Sequence, residues 1–157
     1  MYSIETAFIN HVERLVEIQI SAFSNDRQSC GSGPPGYDSS EHQRACLENY
    51  FYFVIKGAKE VVGGFYYSVD EERLQLIRLH IEPSYQCQGL GKMVLDYLVK
   101  QVSSGFHIEL ETPTFNTAAH RFYEGMAFTR LKLSTMTQAV SLRIECWSNQ
   151  LRSHTNV

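Results

Sequence analysis

The segment Gln86-Cys87-Gln88-Gly89-Leu90-Gly91-Lys92, printed QCQGLGK, sets two glycines one residue apart where an amphipathic run, MVLDYLVKQV, begins. A strand-like stretch and a short turn precede it, so the segment opens a helix. The first N–H groups of a helix have no partner within it, and the helix dipole adds partial positive charge there. Glycine removes the Cβ that would keep an anion from those donors. The chemistry open to such a segment is to hold a phosphate or pyrophosphate by its main chain. A glycine turn packed closely on its neighbours would use the same letters, and the segment alone leaves both readings open. Two other glycine motifs are excluded. A Walker loop needs a longer glycine spacing and Ser or Thr after its lysine, where Met93 stands, and the dinucleotide fingerprint needs a third glycine where Val94 stands.

A second candidate set lies downstream. Asn116, Ala119 and Tyr123 stand at i, i+3 and i+7, so they share one helical face if the first turn includes Asn116. A small residue between two polar ones leaves room for a slender ligand. The plainer alternative makes Asn116 an N-cap and Tyr123 a core aromatic.

The elements that must position these residues follow from periodicity. Tyr2 to Ile9 reads as a first strand. Asn10 with Glu13 forms a capping box before Val12, Leu15, Val16 and Phe23, and Asp38 with Glu41 forms another before a helix through Leu47. Between them, residues 24–40 (SNDRQSCGSGPPGYDSS) read as a surface loop or a substrate lid. The runs YFYFVIK, VVGGFYYSV and LQLIRLHIE are strand-like and closely linked, which implies antiparallel neighbours. Leu90, Met93, Val94, Tyr97, Leu98 and Val102 keep helical spacing, with Gly105 placed to end that helix. FHIELET is a strand, a helix follows from about Thr117 to Gly125, and FTRLKLSTM and VSLRIECWS are two last strands. The order β-α-α-β-β-β-α-β-α-β-β predicts an α+β fold of three layers, α/β/α, as a single domain over 1–157.

With 157 residues and a net charge of −3, the chain suits one domain and carries no basic field for nucleic acid or anionic membrane. No apolar run approaches the roughly 20 residues that span a bilayer, and MYSIETAFINHVERLVEIQ carries charges through its apolar pattern, unlike a signal peptide. Cys30, Cys46, Cys87 and Cys146 lack C-x-x-C spacing, so reduced thiols, a cytoplasmic location and no metal site are expected.

LHIEPSYQCQGLGKMVLDYL resembles the acyl-CoA-binding segment of the GNAT superfamily of N-acetyltransferases, whose loop reads Q/R-x-x-G-x-G/A; Gln86, Gly89 and Gly91 fill its defining positions. ETPTFNTAAHRFYEGMAF is similar to the family's later helix motif, with Asn116, Ala119, Phe122, Tyr123 and Phe128 in register. The order of elements matches that fold from end to end. One departure is visible: Ala127 precedes Phe128 where relatives usually carry glycine.

The resemblance implies a GNAT fold with a mixed central sheet splayed between strands 4 and 5 after a bulge. It implies acetyl-CoA as co-substrate, an amine acceptor and direct transfer in a ternary complex. The main chain of Leu79, His80 and Ile81 would meet the pantetheine amides. Backbone donors of Cys87, Gln88, Gly89, Leu90, Gly91 and Lys92 would wrap the pyrophosphate after Gln86. Asn116 would bond the pantetheine arm, with Ala119 beside it and Tyr123 near the sulfur.

Acetyl transfer needs a neutral amine, a donor for the oxyanion and a proton for the thiolate. The N–H of Ile81 and the phenol of Tyr123 are expected to fill the last two roles. The fourth strand lacks the glutamate that several relatives use, so the base candidates are His80, Glu82, Glu109 and Glu111; His80 leads by intrinsic pKa and Glu111 is second, with base action through water, or none at all, equally open. Cys87 has no local histidine to activate it, so no covalent route is expected. The alternative of a non-catalytic acyl-CoA sensor on the same fold stays open. So does a homodimer formed through the last strands or Trp147.

Overall fold

Strand β1 (Tyr2–Thr6) pairs antiparallel with β2 (Phe51–Gly57), which pairs antiparallel with β3 (Glu60–Val69). The structure, a computed structural model, describes residues 1–24, 33–134 and 139–145. The β2–β3 register sets Phe51 opposite Tyr67 and Phe53 opposite Phe65, and these rings stack with centroids 5.3 and 5.4 Å apart. Each such cross-strand pair adds roughly 0.2–1 kcal/mol, which favours this register over a slipped one. Alternation sends Tyr52 and Tyr66 to the other face, where both are buried.

The chain folds as two compact units, Met1–Tyr67 with Arg78–Gly91, and Ser68–Ile77 with Lys92–Val157. In the first, helix α1 (Val12–Ala22) buries Leu15, Val16, Ile18 and Gln19 and packs on helix α2 (Ser40–Asn49). Neither helix begins as its capping signal suggests. A short 3-10 turn, Ile9–His11, occupies the Asn10 position, and the His11 ring accepts the Phe8 N–H at 3.0 Å. For α2 the cap is Ser39, whose hydroxyl accepts from the His42 N–H at 3.1 Å, one residue later than Asp38. Both Ser and Asp can cap, and the signal alone does not choose between neighbours.

Strand β4 (Arg73–Ile81) belongs to both units. Its first half pairs parallel with β5 (His107–Pro113), from Arg73↔His107 to Leu76↔Leu110. The register is unbroken over these pairs, with no bulge among them, and it ends there although both strands continue. On its other edge, from His107 to Pro113, β5 pairs antiparallel with β7 (Ala139–Glu145), and β7 pairs antiparallel with β6 (Thr129–Ser134). The strand order is β1-β2-β3-β4-β5-β7-β6. Helices α3 (Leu90–Gln101) and α4 (Thr117–Gly125) complete the described elements, and α3 stops at Gln101, before Gly105. Leu74, Leu76, Ile108, Leu110, Leu142 and Ile144 form the buried rows of the second unit's strands. Residues 135–136 and 146–148 of the two expected last strands, and Trp147 with them, lie outside the described residues, as do residues 25–32 of the expected loop.

Candidate functional site

The end of β4 and the loop after it form one built region of the first unit. Glu82 donates its N–H to Val62 on β3 at 2.8 Å. Successive strand residues turn their main-chain groups to opposite sides, so those of Leu79 and Ile81 face away from β3. A 3-10 turn, Pro83–Tyr85, then leads into Gln86, whose side-chain amide donates to the Ile81 carbonyl at 2.9 Å and ties the loop to the strand. Tyr2 holds the next part, donating its hydroxyl to Gln88 Oε1 at 2.6 Å. Tyr85 and Gln86 donate backwards to Glu82 and Pro83 and a further turn runs over Gln86 and Cys87, but among the described residues no main-chain partner is seen for the N–H groups of Gly89 to Gly91.

Two residues of that loop are left-handed, Cys87 at φ 62° and Gly89 at φ 82°. A Cβ built on Gly89 would meet nothing within 4 Å. Close packing therefore does not explain this glycine; its backbone conformation does. Gly91, in the first turn of α3, is half-buried.

His80 sits on the buried face of β4 with Leu74, Leu76 and Arg78, 2% exposed. Gly64 makes room for it, since a Cβ there would stand 2.8 Å from Nε2. Neither ring nitrogen has a partner among the described residues. Burial, assisted by the charge of Arg78, pushes its pKa from 6.5 down to about 3. The unfolded chain therefore binds a proton at this site that the folded chain refuses. Stability is whole above pH 6.5 and is expected to fall with acidification from there toward pH 3, at most by about 1.4 kcal/mol per pH unit. Urea midpoints from pH 7 to 5 check this, and His80→Leu should flatten the slope.

The second unit holds the other candidates. Asn116 stands just before α4 as its cap, its Oδ1 accepting the Ala119 N–H at 3.1 Å. The cap consumes the carbonyl oxygen and leaves the amide NH2. Tyr123 is 8% exposed, with the rings of Phe122 and Phe128 edge-on at 5.1 and 5.5 Å. Burial pushes its phenol up to about 12, so it stays protonated at any working pH. Glu111 is exposed on β5, one residue past the last β4–β5 pair. Glu109 is not a free carboxylate: it pairs with Arg73 at 3.1 Å and with Arg143. Desolvation opposes its ionisation, but hydrogen bonds from Arg143 and Arg73 outweigh it and hold the carboxyl below its usual range.

Ala127 follows α4 at φ 71°, the left-handed region where a Cβ costs roughly 1–2 kcal/mol. The residue that departs from the family pattern thus sits in the conformation glycine would fill without strain. Ala127→Gly is expected to raise stability by about 0.5–1 kcal/mol, read as a higher thermal midpoint. An unchanged or lowered midpoint would mean that Ala127 carries no strain.

The first unit thus brings together Leu79, His80, Ile81 and Gln86 to Gly91, and the second holds Lys92, Glu111, Asn116, Ala119 and Tyr123. Among the described residues no group of His, Cys, Asp or Glu could hold a metal, and no described helix is long and apolar enough to cross a membrane. Sequence reasoning passed over Arg78, which is 9% exposed and bonded to Gln19 and Pro35. The signal was present: strand alternation puts this cation on the same face as Leu76 and His80.

A family model described as the acetyltransferase (GNAT) family matches residues 12–128. Among solved structures, the chain is similar to PaiA N-acetyltransferase from Thermoplasma acidophilum in complex with coenzyme A, at 15% identity and a TM-score of 0.81, over 92% of this chain and 99% of that one. It is similar to an acetyltransferase from Thermus thermophilus at 16% identity and TM-score 0.77, over 92% and 97%. The figures for Ard1 from Thermoplasma volcanium are 16% and 0.70, over 94% and 99%. At such identities the likeness is one of fold. No curated protein matches the sequence.

Proposed function

The chain belongs to the GNAT acetyltransferase family, and from that membership we propose that it moves an acetyl group from acetyl-CoA to a primary amine of a small molecule or peptide by direct transfer in a ternary complex. The observation that carries this reading is the loop at the head of α3, left-handed at Cys87 and Gly89, with no main-chain partner seen for the N–H groups of Gly89 to Gly91 among the described residues. Amides so arranged fit a diphosphate. That the Thermoplasma acidophilum relative holds coenzyme A supports the same use here.

In this reading the N–H groups of Cys87, Gln88, Gly89, Leu90, Gly91 and Lys92 take the diphosphate, while Gln86 locks the loop to Ile81. The pantetheine amides pair with the main chain of Leu79 to Ile81, and the Asn116 amide NH2 and the small Ala119 line its path. The neutral amine attacks the thioester carbonyl and forms the C–N bond, the Ile81 N–H receives the resulting oxyanion, and collapse of that tetrahedral intermediate breaks the C–S bond. Tyr123 donates a hydrogen bond to the departing sulfur. The surplus proton on nitrogen leaves to water, and the thiolate departs hydrogen-bonded to that phenol.

Proton removal is the least furnished step. His80 is neutral at working pH and can accept a hydrogen bond from the amine, but an imidazole pushed to about 3 cannot keep a proton taken from an ammonium. Glu109 is bound in ion pairs, and Glu111 is the exposed carboxylate through which the proton reaches water. This sparse supply of bases is also what favours the second reading, a sensor that binds acyl-CoA without transfer. Calorimetric titration with acetyl-CoA and a thiol-release assay over an amine panel test both. Release of thiol with at least one amine supports the enzyme, binding with no release against any amine supports the sensor, and no binding removes both.

A further inference from the structure

Resting on the acyltransferase reading, we propose that the space around Arg78 in the first unit is an acceptor subsite selecting amines that also carry a carboxylate, with Arg78 as the specificity-determining residue. Arginine is almost never buried without an anionic partner, because taking its charge from water costs several kcal/mol. Here Arg78 is 9% exposed, yet every partner it has among the described residues is uncharged. One N–H reaches Gln19 Oε1 at 3.1 Å, another the Pro35 carbonyl at 2.8 Å, and the guanidinium lies over the Tyr66 ring at 5.6 Å from its centroid. Gln19 is itself fixed, its amide donating to the Leu15 carbonyl at 3.3 Å, so its oxygen is aimed at Arg78 by α1.

A second observation points the same way. His80, two residues along the same face of β4, is 2% exposed with both ring nitrogens unpartnered. A neutral imidazole always carries one N–H, so this region of the unit holds another buried donor with no acceptor. Tyr52 lies edge-on to that imidazole at 6.4 Å and makes no hydrogen bond with it; its hydroxyl donates to Gln43 Oε1 at 2.6 Å. A buried donor without an acceptor thus stands two residues from a buried charge without a counter-charge among the described residues. Native interiors leave few such groups unpaired, and a ligand that supplies acceptors and negative charge restores the balance. A carboxylate fits best, since its two oxygens match the planar guanidinium fork.

The test compares matched acceptors in the thiol-release assay: leucine against isopentylamine, and phenylalanine against phenethylamine. The wild-type protein should favour the carboxylate-bearing member by at least about tenfold in kcat/KM, the scale of one charge-assisted pair. Arg78→Met should bring each pair within about twofold by raising KM for the amino acid, with the plain amine unaffected. Because Arg78→Met also strips partners from Gln19 and Pro35, Gln19→Glu serves as a second variant. It keeps the guanidinium but supplies an internal counter-charge, and it should erase the preference while holding or raising the thermal midpoint. Equal use of both members by the wild type, or a preference that survives in both variants, overturns the proposal. If no amine reacts, the acyltransferase reading fails, and calorimetric titration decides the subsite separately. N-acetylleucine should then bind the wild type at least about tenfold tighter than neutral N-acetylisopentylamine and lose that margin in both variants. Equal binding, or none, overturns it.

Discussion

Replacing Tyr123 by phenylalanine is expected to lower turnover about a hundredfold while acetyl-CoA affinity stays within about twofold. The phenol is buried and pushed up to about 12, so it is a weaker acid than an ordinary thiol near 8.5. It does not hand over its proton outright. It donates a hydrogen bond that strengthens as charge builds on sulfur, in surroundings where burial has already removed competing water. Such a bond is made in the transition state and hardly in the ground state, so its loss falls on kcat rather than on binding. A hundredfold corresponds to about 2.7 kcal/mol. The ring contacts with Phe122 and Phe128 survive the substitution, so the fold should hold. Turnover unchanged in steady-state thiol release would remove Tyr123 from the mechanism.

Gly91→Glu is expected to separate folding from cofactor binding in opposite directions. Gly91 lies in the first turn of α3, which carries no acidic residue. Glutamate there gains about 0.5–1 kcal/mol of helix propensity over glycine and a further 0.3–1 kcal/mol from the helix dipole. The free protein should therefore melt at the same or a higher temperature. The same carboxylate would stand among the amides proposed to hold a diphosphate, where like charge and added bulk oppose the ligand. Affinity for coenzyme A should fall by about a hundredfold or more, equivalent to about 2.7 kcal/mol, measured by calorimetry. Undiminished affinity would place the diphosphate elsewhere.

The features legible in the residue string are those that short stretches of chain generate by themselves. Helix α4 runs Thr117–Gly125, as its spacing indicates. The loop from Gln86 to Lys92 could be recognised because glycine's freedom at positive φ and the orphan amides of a helix start are local properties. The exchange of glycine for alanine at 127 was visible as well, though its strained φ was not. Local signals misled where two neighbours compete for one role. Asn10 yielded to a 3-10 turn, and Asp38 lost the cap to Ser39, because the hydroxyl that meets the free N–H depends on how the chain enters the helix.

By itself, then, the sequence determined the order of elements, the family and the glycine loop at the head of α3. Tertiary structure alone decided the charge state and availability of the side chains around them. Glu109 looked like a free base until Arg73 and Arg143, 36 and 34 residues away, claimed its oxygens. His80 looked like a physiological titrator until burial pushed it to about 3. Arg78 drew no notice in the sequence, and only Gln19 and Pro35, 59 and 43 residues away, mark it as a buried, hydrogen-bonded cation. Periodicity reports which face a side chain takes, but its pKa and partners depend on the dielectric and the donors that distant segments bring, and no local pattern encodes those.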